Sequence, residues 1–210
     1  MSSSAGIIII GDEILSGRTK DTNINWIANE LNEIGIKLKE ARVIEDDKKR
    51  IINTVLEFSK KFTYVFTSGG IGPTHDDVTT ESIAAAFKVD LEKNKIAMNL
   101  LKKHYETSNI DFNEARQKMA IIPKGALLID NPVSVAPGFN IKNVFVFAGV
   151  PKIMQSMFHS ISSNLRGGII IKSKTITCDI GEGKIANDLS QIEKQFFNMK
   201  IGSYLSLIHI

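Results

Sequence analysis

A short apolar segment near the start of the sequence constrains the fold more than any other feature. Residues 6–10 read Gly-Ile-Ile-Ile-Ile, and Gly11 and Asp12 follow directly. An apolar run without alternation is typical of a strand that is buried on both faces, as in a parallel sheet covered by helices on each side. The segment therefore predicts a parallel sheet with a loop that begins at Gly11.

Strand and helix patterns then alternate along the chain. Strands are predicted over residues 36–44, 64–66 and 144–147, and helices over residues 24–34, 51–59, 153–161 and from Thr79 or Thr80 onward. This order, with short connections, predicts an α/β protein whose parallel sheet has helices on both faces. Residues 91–120 have a polar helical pattern, and we expect them on the flank of the sheet rather than in its core.

The pattern changes at Arg166-Gly167-Gly168, which divides the sequence into a main domain, residues 1–165, and a small α/β extension, residues 166–210. In the extension we predict a strand over 169–179, a helix containing Leu189, Ile192 and Phe196, and a strand near 201–207. So short a segment is marginal for a hydrophobic core of its own. We therefore expect the extension to be cut short relative to the natural protein.

Composition argues against several classes of protein. The net charge is +3 and the lysines are scattered rather than gathered in a stripe, so we expect no nucleic-acid partner. No apolar run approaches the roughly 20 residues of a membrane span, and no signal-peptide pattern is seen. The single cysteine, Cys178, excludes an intramolecular disulfide and fits a reducing compartment. We expect a cytoplasmic protein with no membrane association, in which Cys178 is buried in a strand.

The loop after residues 64–66 is the sharpest candidate for a binding site. It contains Gly69, Gly70 and Gly72, and glycine lets the backbone turn through positive φ and approach a ligand closely. Successive amides and the N-terminus of the following helix can donate hydrogen bonds to a phosphate. Neither a Walker loop nor a Gly-x-Gly-x-x-Gly motif is present. The segment is either an anion-binding loop or a tight turn without a ligand.

Carboxylates lie in two loops at the same predicted edge of the sheet. Asp46, Asp76 and Asp77 provide the hard oxygen ligands that suit Mg²⁺, which is usually bound by one or two carboxylates and substrate phosphates. Such a cation can neutralise a pyrophosphate and polarise phosphorus toward water. The alternative is that Asp46 and Asp47 cap one helix, and Asp76 and Asp77 another. His75 is a general base or, more commonly for a loop histidine, simply solvated.

Four motifs, in the same order, resemble the molybdopterin-binding (MoCF) domain family, which includes MoaB/Mog-like proteins, and within it the CinA-type branch. They are Gly11–Gly17 with Asp21-Thr22-Asn23, Ser68–Thr79, Ala136-Pro137-Gly138-Phe139, and Gly149-Val150-Pro151 with Met154 and Met157. The resemblance covers about residues 5–165, and a similar domain is attached to eukaryotic FAD synthases. It implies a three-layer α/β/α fold with a mostly parallel sheet, in a homo-oligomer that binds a pterin or a nucleotide pyrophosphate.

The resemblance also implies roles for individual residues. Two aspartates that serve the chemistry of molybdopterin adenylyltransferases match Asp46 and Asp77. The CinA branch is associated with hydrolysis of ADP-ribose-like dinucleotides, and the FAD synthase domain with hydrolysis of FAD, both with metal ions. In one departure, Asp76 stands where the adenylyltransferases carry arginine. In another, the nicotinamide-nucleotide amidase domain of many CinA proteins has no counterpart in these residues.

The leading hypothesis is metal-dependent hydrolysis of a dinucleotide pyrophosphate such as ADP-ribose or FAD. Asp77 and Asp46 are the predicted catalytic residues, and Asp76 and Asp77 the predicted ligands of Mg²⁺ or another divalent metal. The predicted substrate- and phosphate-binding residues are Asp12, Asn23, Ser68, Gly69, Gly70, Gly72, Pro73, Thr74, Gly138 and Gly149. The alternatives are molybdopterin binding or adenylylation in molybdenum cofactor biosynthesis, with molybdopterin as the ligand, and a nucleotide-binding domain without catalysis.

Overall fold

A computed structural model describes residues 3–170, 172–196 and 199–204 of the chain. These residues form two compact units that divide after residue 171. In the described residues the strands are β1 (Ser4–Ile10), β2 (Lys37–Ile44), β3 (Tyr64–Ser68), β4 (Leu91–Lys93), β5 (Ile121–Pro123), β6 (Leu127–Ile129), β7 (Gly138–Ile141) and β8 (Val144–Phe147). The helices are α1 (Asp12–Leu15), α2 (Asn23–Glu33), α3 (Lys48–Lys61), α4 (Thr79–Phe87), α5 (Lys95–Thr107), α6 (Glu114–Lys118), α7 (Pro151–Ser162) and α8 (Glu182–Gln195).

The main sheet has six strands in the order β2-β1-β3-β8-β7-β6. The first four are mutually parallel, whereas β7 is antiparallel to β8 and β6 is antiparallel to β7. Helices cover both faces, so the prediction of a three-layer α/β/α fold with a mostly parallel sheet is confirmed. The antiparallel pair β6 and β7 is a feature that the apolar pattern did not reveal, because both strands are too short to show a period.

The core lies on both faces of the central strand, as the unbroken apolar run predicts. Ile8 and Ile10 of β1 pack in one cluster, with residues of α3 and α4. Ile7 and Ile9 pack in the other, with residues of α2 and α7. All four side chains are buried. Each isoleucine of the run therefore contributes to one of the two cores.

The segment between α4 and β6 is more than a helical flank. It contains the two-stranded antiparallel sheet of β4 and β5 in addition to helices α5 and α6. Ala97, Leu101 and Ala120 are buried in a small third cluster. The buried residues of 91–120 thus form a small cluster separate from the two main core clusters, as expected of a segment on the flank of the sheet, and the strand β4 is the element that the helical pattern did not predict.

The second unit contains α8, which buries no side chain within the residues described. The strand predicted over 169–179 is wrong at each described position of that range, and residues 201–204 are not a strand either; residues 205–207 lie outside the described residues. An isolated strand needs neighbours that hydrogen-bond to its backbone and cover its apolar side chains. Ile176 is 80% exposed and Cys178 is exposed, so the prediction of a buried cysteine is also wrong.

None of the helices in the described part of the chain combines the length and the apolar character that crossing a lipid bilayer requires.

Candidate functional site

Four loops meet at one edge of the main sheet. The parallel strands β1, β2, β3 and β8 all end there, and the carboxyl edge of such a sheet is where ligands usually bind. The loops that follow them carry Asp12, Asp46, the glycine loop and Gly149 respectively. Sequence order and strand direction are therefore sufficient to bring most of the predicted site residues to a single place.

Gly69 is fixed by packing rather than available for a ligand. Its amide donates to the carbonyl oxygen of Phe147 at 3.1 Å, and its φ is +115°. A Cβ atom at this position would collide with the carbonyl oxygen of Ile10, and one at Gly149 would lie 3.3 Å from the Cα of Gly69. The absence of a side chain at position 69 thus lets the loop after β3 pass closely between the ends of β1 and β8.

The next three amides are the available donors of the glycine loop. Among the described residues, no hydrogen-bond acceptor is found for the amides of Gly70, Ile71 and Gly72. Pro73 has no amide hydrogen, and the amide of Thr74 donates to Asp77 at 2.8 Å. Successive backbone amides without partners form a concave donor set that suits an anion. Of the loop predicted to bind phosphate, residues 70–72 are therefore the ones whose amides have no partner within the described residues.

Asp77 turns back toward this loop instead of capping the following helix. Its Oδ2 accepts hydrogen bonds from the amide of Thr74, at 2.8 Å, and from the Thr74 hydroxyl, at 2.6 Å. A Cβ atom on Gly72 would lie 2.6 Å from the same oxygen. Helix α4 begins at Thr79 with Val78 at the N-cap and has no side-chain cap. The alternative in which Asp76 and Asp77 cap this helix is therefore wrong.

Asp46 lies on the other side of the same loop. Its Oδ2 accepts a hydrogen bond from the amide of Asp12 at 3.0 Å, and a Cβ atom on Gly70 would lie 3.5 Å from its Oδ1. The helix-capping role belongs instead to Asp47, whose carboxylate accepts from the amide of Arg50 at 2.7 Å. Asp46 and Asp77 therefore flank the three available amides, one near Gly70 and the other near Gly72.

The surroundings of Asp46 raise its pKa. Partial burial is the largest cause, and the neighbouring carboxylates of Asp12, Glu13 and Asp76 add to it, while the hydrogen bond from the Asp12 amide acts in the opposite direction. Asp76 is exposed, and its pKa is lowered chiefly by the nearby Thr74 side chain and by its own backbone amide. Acidic side chains from three loops are thus close enough to influence one another.

The carboxylates of this site fit a cation that a bound phosphate also helps to hold. Within the described ranges, no group of three or more His, Cys, Asp or Glu side chains is arranged to hold a metal ion by itself. Nor does any ion pair, within the same ranges, neutralise Asp12, Asp46 or Asp76. Mg²⁺ commonly takes one or two carboxylates, with the remaining positions filled by water and substrate phosphate. The residues fit that kind of binding and not a complete protein cage.

Asn23, Ser68 and Gly149 form one hydrogen-bonded group beneath the loop. The Nδ2 of Asn23 donates to the Oγ of Ser68 at 2.9 Å and to the carbonyl oxygen of Gly149 at 2.8 Å. Asn23 is only 4% exposed, and the Ser68 hydroxyl donates in turn to the carbonyl of Ala148. These contacts tie the start of α2 to the ends of β3 and β8, so the three residues support the loops that carry the carboxylates.

Gly138 is at the same edge of the sheet, and its nearest neighbours come from β6, β8 and α7. It is buried at the start of β7, where a Cβ atom would collide with the carbonyl oxygen of Val146 and lie 3.2 Å from the Sδ of Met157. The packing of β7 on β8 is enough to explain the glycine at this position. A role for Gly138 in ligand binding remains a prediction.

Sequence reasoning missed one residue of the site, Lys118 at the end of α6. Its Nζ donates to the carbonyl oxygens of Thr74, at 2.9 Å, and of Asp77, at 3.0 Å. Lys118, Gly72 and Asp77 also line a small cavity of about 90 Å³. No local signal marks this lysine, because it is one of many in a polar helical segment and its partners are more than 40 residues away.

Comparison with known proteins places this geometry in context. The family model for a probable molybdopterin binding domain matches residues 6–166. The structure of CinA from Thermoplasma acidophilum, a protein of unknown function, aligns with a TM-score of 0.72 and 34% identity and covers 78% of this chain and 98% of that one. The molybdopterin biosynthesis enzyme MoaB from Thermus thermophilus aligns with a TM-score of 0.53 at 15% identity, which shows a shared fold alone; 78% of this chain and 91% of that one are covered.

Two sequence relatives extend the comparison. A CinA-like protein from Prochlorococcus marinus is 35% identical in an alignment 213 residues long, which covers 96% of this chain and 49% of the relative. A protein from Sulfurisphaera tokodaii is 38% identical in an alignment 161 residues long, which covers 74% of this chain and 61% of the relative. The chain thus spans between about half and three-fifths of the length of these relatives.

Proposed function

The chain belongs to the molybdopterin-binding domain family, in its CinA-type branch, and from that premise we propose that it hydrolyses the pyrophosphate of a dinucleotide such as ADP-ribose or FAD. The single observation that carries this proposal is the position of Asp46 and Asp77 on either side of the available amides of Gly70–Gly72. Amides suit the oxygens of a phosphoryl group, and the flanking carboxylates suit a divalent cation bound to that group.

The amides and the carboxylates of the site would have different roles in hydrolysis. The amides of Gly70–Gly72 hold phosphoryl oxygens and stabilise the negative charge that develops on them, and such stabilisation usually contributes most to catalysis. Asp76 and the Oδ1 of Asp77 would hold the cation, since Oδ2 of Asp77 is already bonded to Thr74. When bound, a divalent cation neutralises the pyrophosphate and polarises phosphorus.

Asp46 is the carboxylate best suited to receive a proton from the attacking water. Its pKa is raised by partial burial and by the acids around it, so it holds a proton more readily than an ordinary aspartate. Water then adds to one phosphorus, the bridging P–O bond breaks, and ADP-ribose gives AMP and ribose 5-phosphate. Asn23 and Ser68 act indirectly, because their hydrogen bonds hold the loops in place.

Molybdopterin binding or adenylylation is the second candidate function. The family model, described as a probable molybdopterin binding domain, favours it, and a pterin phosphate would occupy the same amides. This candidate differs in its chemistry, because it requires ATP-dependent transfer of adenylate to the pterin instead of release of AMP from ADP-ribose. A third candidate function is a nucleotide-binding domain without turnover. The amides would then bind phosphate, but the carboxylates of Asp46 and Asp77 would have no chemical role.

A substrate panel separates these candidates. The protein is incubated with ADP-ribose, FAD, NAD or ATP in the presence of Mg²⁺, Mn²⁺ or Co²⁺, and nucleotide products are separated by chromatography. We expect AMP from ADP-ribose or FAD, and no product when EDTA replaces the metal. Adenylylation of molybdopterin by ATP without hydrolysis of any dinucleotide would support the second candidate. Tight binding of ADP-ribose with no product in any metal would support the third.

A further inference from the structure

Lys118 joins the two ends of the turn that carries the predicted metal ligands. Its ammonium group donates to the carbonyl oxygen of Thr74, where the turn begins, and to that of Asp77, where it ends. His75 and Asp76 lie between these two carbonyls. Lys118 is partly buried, whereas Thr74, His75 and Asp76 are exposed. A largely exposed turn is therefore hydrogen-bonded at both ends to a side chain of α6.

The position of the Asp77 carboxylate depends on the shape of this turn. Among the residues that the structure describes, the partners of its Oδ2 are both within the turn, the amide and the hydroxyl of Thr74. If Thr74 moves relative to Asp77, the carboxylate moves relative to the amides of Gly70–Gly72. In the described residues, Lys118 is the side chain from outside the turn that hydrogen-bonds to both of its ends.

Lys118 also brings a positive charge to an acidic part of the site. The pKa of Asp46 is raised chiefly by burial, and the carboxylates of Asp12, Glu13 and Asp76 are close enough to add to this. The pKa of Asp76 is lowered chiefly by the Thr74 side chain and by its own amide, and the positive charges of His75 and Lys118 contribute in the same direction. An ammonium group has three donors, of which two are used by the carbonyl oxygens.

We propose that Lys118 is a positioning residue, which fastens the carbonyls of Thr74 and Asp77 and so fixes the Asp77 carboxylate beside the Gly70–Gly72 amides for reaction. The expected loss of kcat rests on the proposed hydrolytic function. The expected ordering of the turn rests only on the two hydrogen bonds of Lys118. It adds to the site a residue of α6, which comes from the segment between α4 and β6 and not from any of the four loops at the sheet edge.

The test uses the full chain with three substitutions. Lys118→Met removes the charge and the donors and keeps a long side chain, and Lys118→Arg restores charge and donors. Lys103→Met is the matched control, because Lys103 is exposed on α5. Hydrogen exchange of peptides that cover residues 70–78 reports the order of the turn without any substrate. Steady-state kinetics with the best dinucleotide of the panel then separates kcat from KM.

We expect Lys118→Met to speed exchange in residues 70–78 and to lower kcat by about 10²-fold, the order of loss that a displaced catalytic group causes. KM should change much less, Lys118→Arg should recover part of kcat, and Lys103→Met should behave as the parent. Unchanged exchange in Lys118→Met, or faster exchange with an unchanged kcat, would overturn the proposal. If the parent protein hydrolyses nothing, the proposed function fails, and the exchange data alone decide whether Lys118 fastens the turn.

Discussion

At the scale of single residues, Asp46 and Asp77 differ in how they are held, although both are loop aspartates. Asp77 receives two hydrogen bonds from Thr74 within its own turn, whereas Asp46 receives one from the amide of Asp12 in another loop. Burial and, to a smaller extent, like charges also raise the pKa of Asp46. Under the proposed function the two carboxylates would have different tasks, cation binding for Asp77 and proton transfer for Asp46.

Replacement of Asp77 tests the first of these tasks. We expect Asp77→Asn to lower kcat/KM for ADP-ribose or FAD on the order of 10²–10³-fold, comparable to the loss of one preorganised stabilising group. The asparagine oxygen can still accept from Thr74, so the turn should remain folded. Asp47→Asn is the control, since it makes the same chemical change in a residue that caps α3. Parental rates in Asp77→Asn would remove this residue from the mechanism.

The raised pKa of Asp46 has a consequence for stability. Because the folded protein favours the protonated form, the stabilisation from this proton is complete below the unfolded-state pKa and is lost as pH rises through the folded-state pKa. The charged carboxylate is therefore unfavourable at neutral pH. We expect Asp46→Asn to raise the free energy of unfolding at pH 7, by no more than about 1 kcal/mol because the group is largely solvated.

This gain should disappear at pH values below about 4, where an ordinary aspartate is itself protonated. Urea unfolding of the parent and of Asp46→Asn at pH 7 and at pH 3.5 measures the difference. A variant less stable than the parent at pH 7 would show that the hydrogen bond from the Asp12 amide outweighs the burial and the repulsion.

At the scale of elements, local and long-range contacts fix the helices that border the site. Asp47 caps α3 through the amide of Arg50, three residues later, whereas Asn23 ties the start of α2 to Ser68 and Gly149, which are far away in sequence. The first contact requires only a favourable local sequence. The second requires that the strands have already paired, because its partners lie at the ends of β3 and β8.

The cap of α3 gives a test at this scale. We expect Asp47→Ala to lower the free energy of unfolding by about 1 kcal/mol, since it removes the acceptor for the amide of Arg50. Glu45→Ala, a change of an exposed residue two positions earlier, is the control and should have little effect. Equal losses in the two variants, measured by urea unfolding at pH 7, would argue against the cap. Hydrolytic activity should be retained in both.

At the scale of the main domain, a group of aromatic rings packs between the sheet and α7. Phe66 of β3 is fully buried, and its ring centroid lies 5.5 Å from that of Phe145, 5.9 Å from that of Phe147 and 5.8 Å from that of Phe158. These rings join the two strands whose carboxyl ends carry the glycine loop and Gly149. The packing of this layer therefore supports the geometry of the site.

Removal of the Phe66 ring should weaken the whole main domain. We expect Phe66→Ala to lower its free energy of unfolding by about 3–5 kcal/mol, the usual cost of a buried phenylalanine. Phe196→Ala is the control, because Phe196 is 50% exposed and belongs to the second unit. Thermal and urea unfolding report the two values. A loss below about 1 kcal/mol in Phe66→Ala would mean that the layer can close over the missing ring.

Much of the fold follows from the amino-acid sequence alone. The isoleucines of Gly6–Ile10 determine a strand covered on both faces, and the helical spacing from Ile24 to Ile34 determines the helix that covers one of them. The order of these patterns also places Asp12, Asp46 and the glycine loop at one edge of the sheet. These features are predictable because they depend on burial periodicity and on the direction of parallel strands, which are local or topological properties.

Only the tertiary structure decided how the site is made. Three sets of contacts in the site have no signal in the periodicity of the sequence. The amide of Gly69 bonds to Phe147, so that the amides of Gly70–Gly72 are the available donors. Asp77 turns toward Thr74, and Lys118 bonds to both ends of the turn between them. Periodicity also did not reveal that residues 169–179 form no strand at their described positions. A hydrogen bond or a strand pairing depends on which groups, far apart in the sequence, the folded chain brings together. The local sequence does not specify those partners.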